Sequence, residues 1–364
     1  MREIRLLLPG QDRSYRLVIE PGLRHRLGEL LIPLTFPSQV FVVADRRVAR
    51  LHGAAVLAAL NTGGFAPVLL TTPPGERAKS WSIVQRLAKE LLTHGAHRRS
   101  LLIALGGGVV GDLAGFLASI FMRGLNFIQV PTTVLAMVDA AIGGKTAINL
   151  PEGKNLLGTF HQPRLVAIDP EFVRTLPRAE RLNGLAEVLK AGFIRDRDLL
   201  VRLAAVKTRL FTDVAELTET IYQAAAIKAQ VVSQDEREGD LRRILNFGHT
   251  LGHGLEQASQ FRLPHGRAVA WGMLAALTLS ERLEGLDPAM AEWGRKLIKD
   301  FDLCRPLPEL DPEAVMTALR LDKKRQERGV PFVLLRRLGE AVIREDVPSD
   351  LVAVVLKEII GGGG

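Results

Sequence analysis

The sequence predicts an α/β protein: an open, wound α/β domain followed by a largely helical half. Three observations predict it. Short apolar runs alternate with helical patterns through the first half, a glycine-rich turn joins one such run to a helix, and from about Arg178 helical periodicity takes over. The chain has 364 residues, and single cores rarely grow past about 250–300 residues, so two domains are expected.

The opening segment, Arg2 to Val18, places a Pro9-Gly10 turn between two strand-like runs and reads as a hairpin. Val40 to Val43, Val68 to Leu70, Leu101 to Leu105, Phe127 to Val130 and Leu165 to Ile168 are continuous apolar runs, the pattern of parallel strands covered on both faces. Between them lies, for example, a helix over Ser80 to Leu92 with Trp81, Val84, Leu87 and Leu91 on one face. Helical patterns then cover Arg181 to Ile194, Val214 to Gln234, Thr250 to Gln260, Ala268 to Leu283 and Met290 to Phe301, and strand signals return at Pro331 to Leu335. A boundary near Leu176-Pro177 divides the chain into domains 1–177 and 178–364. The tail Gly361 to Gly364 has no side chains to pack and is expected to be mobile.

Composition narrows the function classes. Hydrophobic residues make up 47% and charged residues 24%, ordinary globular values that argue against disorder. No apolar run reaches the roughly 18 residues of a membrane span. The first residues, Met1-Arg2-Glu3-Ile4-Arg5, carry no signal-peptide core, and a lone cysteine, Cys304, rules out an internal disulfide; a cytoplasmic protein is expected. The net charge is +8, from 48 basic and 40 acidic residues. Basic runs stay short, and at 5% aromatic residues stacking platforms are scarce, so an anionic metabolite is expected rather than nucleic acid.

Gly106-Gly107-Gly108-Val109-Val110-Gly111-Asp112 follows the Leu101 to Leu105 run and opens a helix. Glycines let a backbone approach phosphates, and the helix N-terminus offers N–H donors to a dinucleotide pyrophosphate. Asp45 ends the Val40 to Val43 run, where a carboxylate can hold a ribose hydroxyl. The segment Gly75 to Ser80, with Glu76 and Lys79, and Pro131-Thr132-Thr133 follow two further runs.

Histidine is scarce, eight in the chain, yet His249, His253 and His265 fall within seventeen residues. The first two stand at i and i+4 on one helical face, and the third is expected on a loop. Upstream, Glu187 and Lys190 stand at i and i+3. Two imidazoles plus a carboxylate make a catalytic zinc set, although surface or capping histidines fit the spacing as well. Asp139, Lys145, Lys154, Asn155, Lys228, Glu238 and Arg242 form a further group of polar candidates, of which Lys145, in Ile142-Gly143-Gly144-Lys145-Thr146, stands where a lysine at a backbone turn can meet a phosphate.

Together these segments resemble the 3-dehydroquinate synthase family. The resemblance runs from about Val40 to Gly339. It is carried by Gly106 to Phe116, Phe121-Met122-Arg123-Gly124, Gln129 to Thr133, Met137 to Thr146, Gly153 to Gly158, Phe160 to Pro163, Gly184 to Lys190, Lys228 to Val232, Asp235 to Glu238, Leu245 to His253, His265-Gly266 and Leu321 to Lys324. It implies an N-terminal Rossmann-like α/β domain and a C-terminal all-helical domain, with the active site in the cleft between them. It implies Glu187, His249 and His265 as ligands of zinc, with cobalt as an alternative. For NAD it implies Asp45, Glu76, Lys79, the 106–112 turn with Gly107, Gly108, Gly111 and Asp112, Thr132, Thr133, Lys145, Lys154, Phe172 and Thr175. Asp139, Lys145, Asn155, Lys190, Lys228, Glu238, Arg242, Asn246 and His253 match substrate-site positions. Arg123 does too, reaching across a homodimer interface.

The substrate implied is 3-deoxy-D-arabino-heptulosonate 7-phosphate. It would pass through oxidation at C5, phosphate elimination, reduction, ring opening and aldol closure, with no net redox. Lys145, Asn155 and Arg123 would hold the phosphate, Arg242 and Lys228 the carboxylate, and His253 would shuttle a proton. The chain departs from the family pattern at Ala140 and Ala141, usually serines, and at Phe121, usually a tyrosine. Other sugar-phosphate cyclases and metal-dependent polyol dehydrogenases are the alternatives; Gly143 to Thr146 and Arg242 favour 3-dehydroquinate synthase. Which of Lys323 and Lys324 faces substrate stays open.

Overall fold

Continuous apolar sequence builds the centre of a seven-stranded sheet. Its strands are β1 (Arg2–Leu6), β2 (Tyr15–Ile19), β3 (Gln39–Asp45), β4 (Ala66–Thr72), β5 (Leu101–Gly106), β6 (Asn126–Pro131) and, after a separate hairpin of β7 (Lys145–Leu150) and β8 (Gly153–Phe160), β9 (Leu165–Ile168). The order across the sheet is β1-β2-β9-β6-β5-β3-β4. Only β1 and β2 pair antiparallel, Arg2 facing Ile19 and Leu6 facing Tyr15; the other neighbours run parallel. Every residue of β5 and β9 is buried, as expected of strands covered on both faces. The computed structural model describes residues 1–8, 13–307, 310–325 and 331–361, with backbone alone at 321–325 and 361. The Pro9-Gly10 turn, the side chains of Lys323 and Lys324 and the tail beyond Gly361 lie outside the described residues.

The Trp81–Thr93 helix buries Val84, Leu87 and Leu91, but Trp81 remains 46% exposed. Helical side chains tilt toward the N-terminus, so a residue at the first position points off the end of the helix instead of onto the surface beneath. The apolar face therefore begins one turn later than the sequence pattern suggests.

The chain forms two compact units. The first comprises Met1–Pro177 and Phe211–Arg237, the second Arg178–Leu210 and Glu238–Gly364. A single cut at Pro177 thus differs from the observed division by one helix. Val214–Gln234 packs on β1 and on the Ala136–Ala140 turn of the first unit. Arg2 forms an ion pair with Glu219 on it, and the Arg2 guanidinium lies 4.8 Å from the centre of the Tyr222 ring. Periodicity shows that a helix has an apolar face, but not which core receives it.

The second unit holds the helices Arg178–Arg195, Arg197–Val206, His249–Ala258, His265–Leu283, Pro288–Asp300, Pro312–Arg325 and Ser349–Gly361. It also holds one hairpin, β10 (Phe332–Arg337) with β11 (Glu340–Arg344), so it is not purely helical. The buried Ser280 hydroxyl donates to the Ala276 carbonyl at 2.6 Å and accepts from the Leu335 amide at 2.9 Å, which fixes β10 against the His265–Leu283 helix.

In the first unit, Asp169 is a buried hub at the end of β9. Its carboxylate accepts from the amides of Gly22 (2.9 Å), Arg24 (3.2 Å) and Glu171 (3.0 Å) and from the Arg24 guanidinium at 2.7 Å. Removing one partner of a buried ion pair costs about 3–5 kcal/mol. Asp169→Ala is therefore expected to lower unfolding free energy by about that amount, read as a lower urea midpoint at unchanged slope.

Candidate active site

The chain leaves β3 toward β4, then returns to β5 on the other side of β3 and continues outward to β6. The direction switches between β3 and β5, and open α/β sheets bind ligands beyond the strand ends at such a point. Asp45 ends β3 and Gly106 ends β5. The Gly108–Ile120 helix starts directly after, its N-terminus providing the positive dipole end.

Around this turn the predicted side chains have definite structural partners. Asp45 Oδ1 accepts from the amides of Arg47 (2.8 Å) and Val48 (3.0 Å) and so caps the following helix. Thr132 is buried, its amide donating to the Gly106 carbonyl at 2.9 Å. Thr133 Oγ1 accepts from the Ala136 amide at 3.2 Å. Phe172 is buried with its ring 4.7 Å from that of His52. The Thr175 hydroxyl donates to the Phe172 carbonyl at 3.0 Å and lies 2.9 Å from His52 Nε2.

Lys79 gathers several candidates. It is buried, and its ammonium donates to Asp112 Oδ2 at 2.6 Å and to Asn155 Oδ1. Glu76 accepts from Asn149 at 2.8 Å, and Asn149 in turn accepts from the Asn155 amide at 2.9 Å. Burial pushes the Asp112 carboxyl up to about 6, against the pull of the Lys79 ammonium. Asp139 and Lys228 meet at 2.6 Å.

Lys145 and Lys154 are exposed on the β7–β8 hairpin, and Arg123 is exposed in a turn where Met122, Arg123 and Gly124 all have positive φ (48°, 70° and 120°). The Ile142 to Thr146 segment, read from sequence as a glycine-rich turn, instead runs into β7. Its turn is held from behind: the Gly143 amide donates to the Tyr15 hydroxyl at 2.9 Å, and Gln162 occupies the space a Gly144 side chain would need. Gln162 donates to Glu236 at 3.0 Å, and Glu236 is gripped bidentately by Arg13 at 2.6 and 2.9 Å. Gln162 and Glu236 lie in segments that carry the resemblance but are given no role there, and Tyr15 and Arg13 do not stand out in the sequence, because each acts on backbone or on another supporting side chain.

In the second unit the metal set assembles. Glu187 and Lys190 lie on the Arg178–Arg195 helix, His249 is the first residue of the His249–Ala258 helix, and His265 is the first residue of the next helix, not a loop residue. A proline before it reads as loop in sequence, yet Pro264 occupies the N-cap position of that helix. His249 Nε2 lies 3.5 Å and His265 Nε2 3.2 Å from the same oxygen, Glu187 Oε1. Each Nδ1 faces an acceptor: Phe247 carbonyl at 3.2 Å for His249, Glu256 Oε2 at 3.5 Å for His265. His253, one turn after His249, has its ring centre 5.3 Å from the His249 ring. Arg242 is buried in the short Leu241–Asn246 helical segment that also carries the half-buried Asn246, and Glu238 precedes it with φ +62°.

The electrostatics suit a cation. Burial alone would raise Glu187, but the Lys190 ammonium and the two imidazoles outweigh it and hold the carboxyl well below its usual range. Burial and then Lys190 push His249 well below the ordinary imidazole value, leaving it neutral. Burial opposes charge on His265 too, but hydrogen bonds to Glu187 and Glu256 prevail and raise it to about 10. Glu187, His249 and His265 each present one ligand atom, all within 4.8 Å of one another. Two nitrogens and one carboxylate oxygen fit zinc or cobalt with an open position.

Comparison with known proteins bears on this arrangement. Sequence models described as 3-dehydroquinate synthase N-terminal and 3-dehydroquinate synthase C-terminal match residues 69–183 and 184–325. A 3-dehydroquinate synthase of Nostoc punctiforme is 42% identical over 351 residues, 95% of this chain and 97% of that protein. Among solved structures, the 2-epi-5-epi-valiolone synthase of Streptomyces hygroscopicus, with NAD+ and Zn2+ bound, superimposes with a TM-score of 0.87 at 28% identity, covering 98% of this chain and 99% of that one. A 2-deoxy-scyllo-inosose synthase complexed with carbaglucose-6-phosphate, NAD+ and Co2+ gives 0.86 at 25% identity over 98% and 99%.

Two outcomes are expected from the geometry. A β-carbon on Gly272 would lie 1.8 Å from the Gly248 carbonyl oxygen, beside His249. Gly272→Ala is expected to cost at least about 1–3 kcal/mol by overpacking and to weaken Zn2+ binding, seen in thermal unfolding and chelator competition. Because the metal must displace a proton from His265 below about 10, Zn2+ affinity should rise with pH by up to roughly tenfold per unit; a flat profile between pH 6 and 8 would contradict the ligand set.

Proposed function

This chain belongs to the 3-dehydroquinate synthase family, and we propose that it converts 3-deoxy-D-arabino-heptulosonate 7-phosphate to 3-dehydroquinate and phosphate. The observation that carries the reading is the convergence of His249 Nε2 and His265 Nε2 on one buried Glu187 oxygen, beside a buried lysine. NAD and a divalent metal, zinc or cobalt, would supply a hydride acceptor and a Lewis acid. NAD would lie at the switch between β3 and β5, along the Gly106 to Asp112 turn, with Asp45, Glu76, Lys79, Thr132, Thr133, Lys154, Phe172 and Thr175 around it. A homodimer and a cytoplasmic location accompany this reading.

The residues have stated work in it. Lys190, in close ion-pair contact with Glu187, keeps that carboxylate charged and ready to ligate. Asn155 accepts from Lys79 through its amide oxygen, and with Lys145 and Arg123 it would hold the departing phosphate. Lys228 pairs with Asp139 at 2.6 Å, and Lys228 with Arg242, supported by Glu238 and Asn246, would take the substrate carboxylate. His253 is exposed one helical turn beyond His249 and would serve as a proton shuttle. The net charge of +8 suits a substrate and a cofactor that are both anionic.

The test is phosphate release from that substrate with NAD at catalytic levels. Chelator-sensitive release of phosphate and dehydroquinate, with no net NADH, is expected. Stoichiometric NADH would point to a dehydrogenase, and turnover of a neutral hexose or heptulose phosphate alone to another cyclase. His265→Ala is expected to lose metal-dependent turnover, by at least about 100-fold, while binding NAD as the parent does; full activity in that variant would overturn the metal site.

A further inference from the structure

We propose that Glu256 is the positioning residue for His265, holding its ring so that Nε2, and not Nδ1, faces the metal. The inference rests on the metal-binding reading above and adds a carboxylate to it. Glu256 lies two turns after His249 on the His249–Ala258 helix, with its side chain only 11% exposed. Its Oε2 is 3.5 Å from His265 Nδ1, while His265 Nε2 is 3.2 Å from Glu187 Oε1. The imidazole therefore stands between two carboxylates, one on the ligand side and one behind.

The chain between the two residues is built to keep this geometry. The Glu256 carbonyl accepts from the Ser259 hydroxyl at 2.8 Å and from the Phe261 amide at 2.7 Å, across a turn in which Gln260 and Phe261 both have positive φ (54° and 58°). The Ser259 hydroxyl also accepts from the Leu263 amide at 3.2 Å. The turn brings the chain back over the helix it has just left, and Pro264 then starts the helix that His265 opens. A histidine ring fixed at one nitrogen has its tautomer fixed at the other, and a carboxylate behind it makes the ligating nitrogen more basic. His249 is fixed at its own Nδ1 by a neutral carbonyl, that of Phe247. Glu256 is thus the partner that also adds negative charge behind the metal.

The experiment compares Zn2+ affinity, by competition with a chromophoric chelator, in the full-length NAD-loaded parent, Glu256→Ala, the near-isosteric Glu256→Gln and His265→Ala. Replacing such a partner weakens metal binding by about 10–100-fold. Glu256→Ala is expected in that range and Glu256→Gln between it and the parent, with NAD affinity unchanged. The Co2+-loaded variants should show altered ligand-field absorption. Parent-like Zn2+ affinity and Co2+ spectra in both Glu256 variants, with metal binding lost in His265→Ala, would overturn the positioning role alone. Parent-like binding in His265→Ala would overturn the metal reading itself. His253, Glu256 and His265 also present ligand atoms within 4.8 Å of one another, so a second Zn2+ equivalent in the parent that disappears in Glu256→Ala would make Glu256 a ligand and overturn the proposal.

Discussion

Two helix contacts without intervening side chains set the position of everything at the metal end. Gly272 meets the backbone of Gly248, and Gly266 meets that of Asn183, where a β-carbon would come within 2.4 Å of the Asn183 carbonyl oxygen. The Gly266 amide also donates to the Asn183 side chain at 2.5 Å. Each contact lies next to a residue of the candidate metal set: Gly248 precedes His249, Gly266 follows His265, and Asn183 is one turn before Glu187. Glu187, His249 and His265 come together from three helices whose backbones approach closely at these two glycines. A larger residue at either glycine would push one helix outward and carry a ligand with it.

The cationic side chains expected to meet anions have protein carboxylates beside them. Lys79 sits against Asp112, Lys228 against Asp139, and Lys190 against Glu187. All three lysines are buried. Each buried ammonium is thus paired with a carboxylate, which offsets part of the cost of its burial. Each pairing costs desolvation of both partners. The excess of basic residues is thus organised at specific positions around chemistry, which the total charge could suggest but not locate.

The parallel strands were fully legible, since a run such as Leu101 to Leu105 has no polar residue to turn outward and must be covered on both faces. The turn after β5 was legible for the same reason. Less visible was whatever depends on long-range assembly. The Val214–Gln234 helix could be drawn from its periodicity but joins the first unit through Arg2, β1 and the Ala136–Ala140 turn, all far away in sequence. The β7–β8 hairpin was hidden by its glycines, which favour turns locally while Thr146 and Thr159 pair across the strands at 2.9 Å. Histidine spacing alone left a metal site and surface histidines equally open; the extended motif resemblance singled out Glu187, His249 and His265, and the structure brings them together. Glu256 escaped notice because its partner lies nine residues on, across a turn with two strained residues that no local pattern announces.

The glycine-rich turn shows why such a motif is weak evidence alone. A β-carbon on Gly106 would sit 2.6 Å from the Val110 side chain, and one on Gly111 would sit 2.7 Å from Gln129 Oε1. Those two glycines are required by the fit of the Gly108–Ile120 helix onto its own strand and onto β6, whether or not a ligand is present. A β-carbon on Gly107 would lie 3.0 Å from the Thr133 side chain and one on Gly108 3.2 Å from Ala140, again close to protein atoms. What suits the turn to a dinucleotide is its position: a helix N-terminus where the chain switches from adding strands on one side of β3 to adding them on the other, with Asp45 closing the neighbouring strand. The glycines make that close packing possible, and the topology decides what the turn can bind.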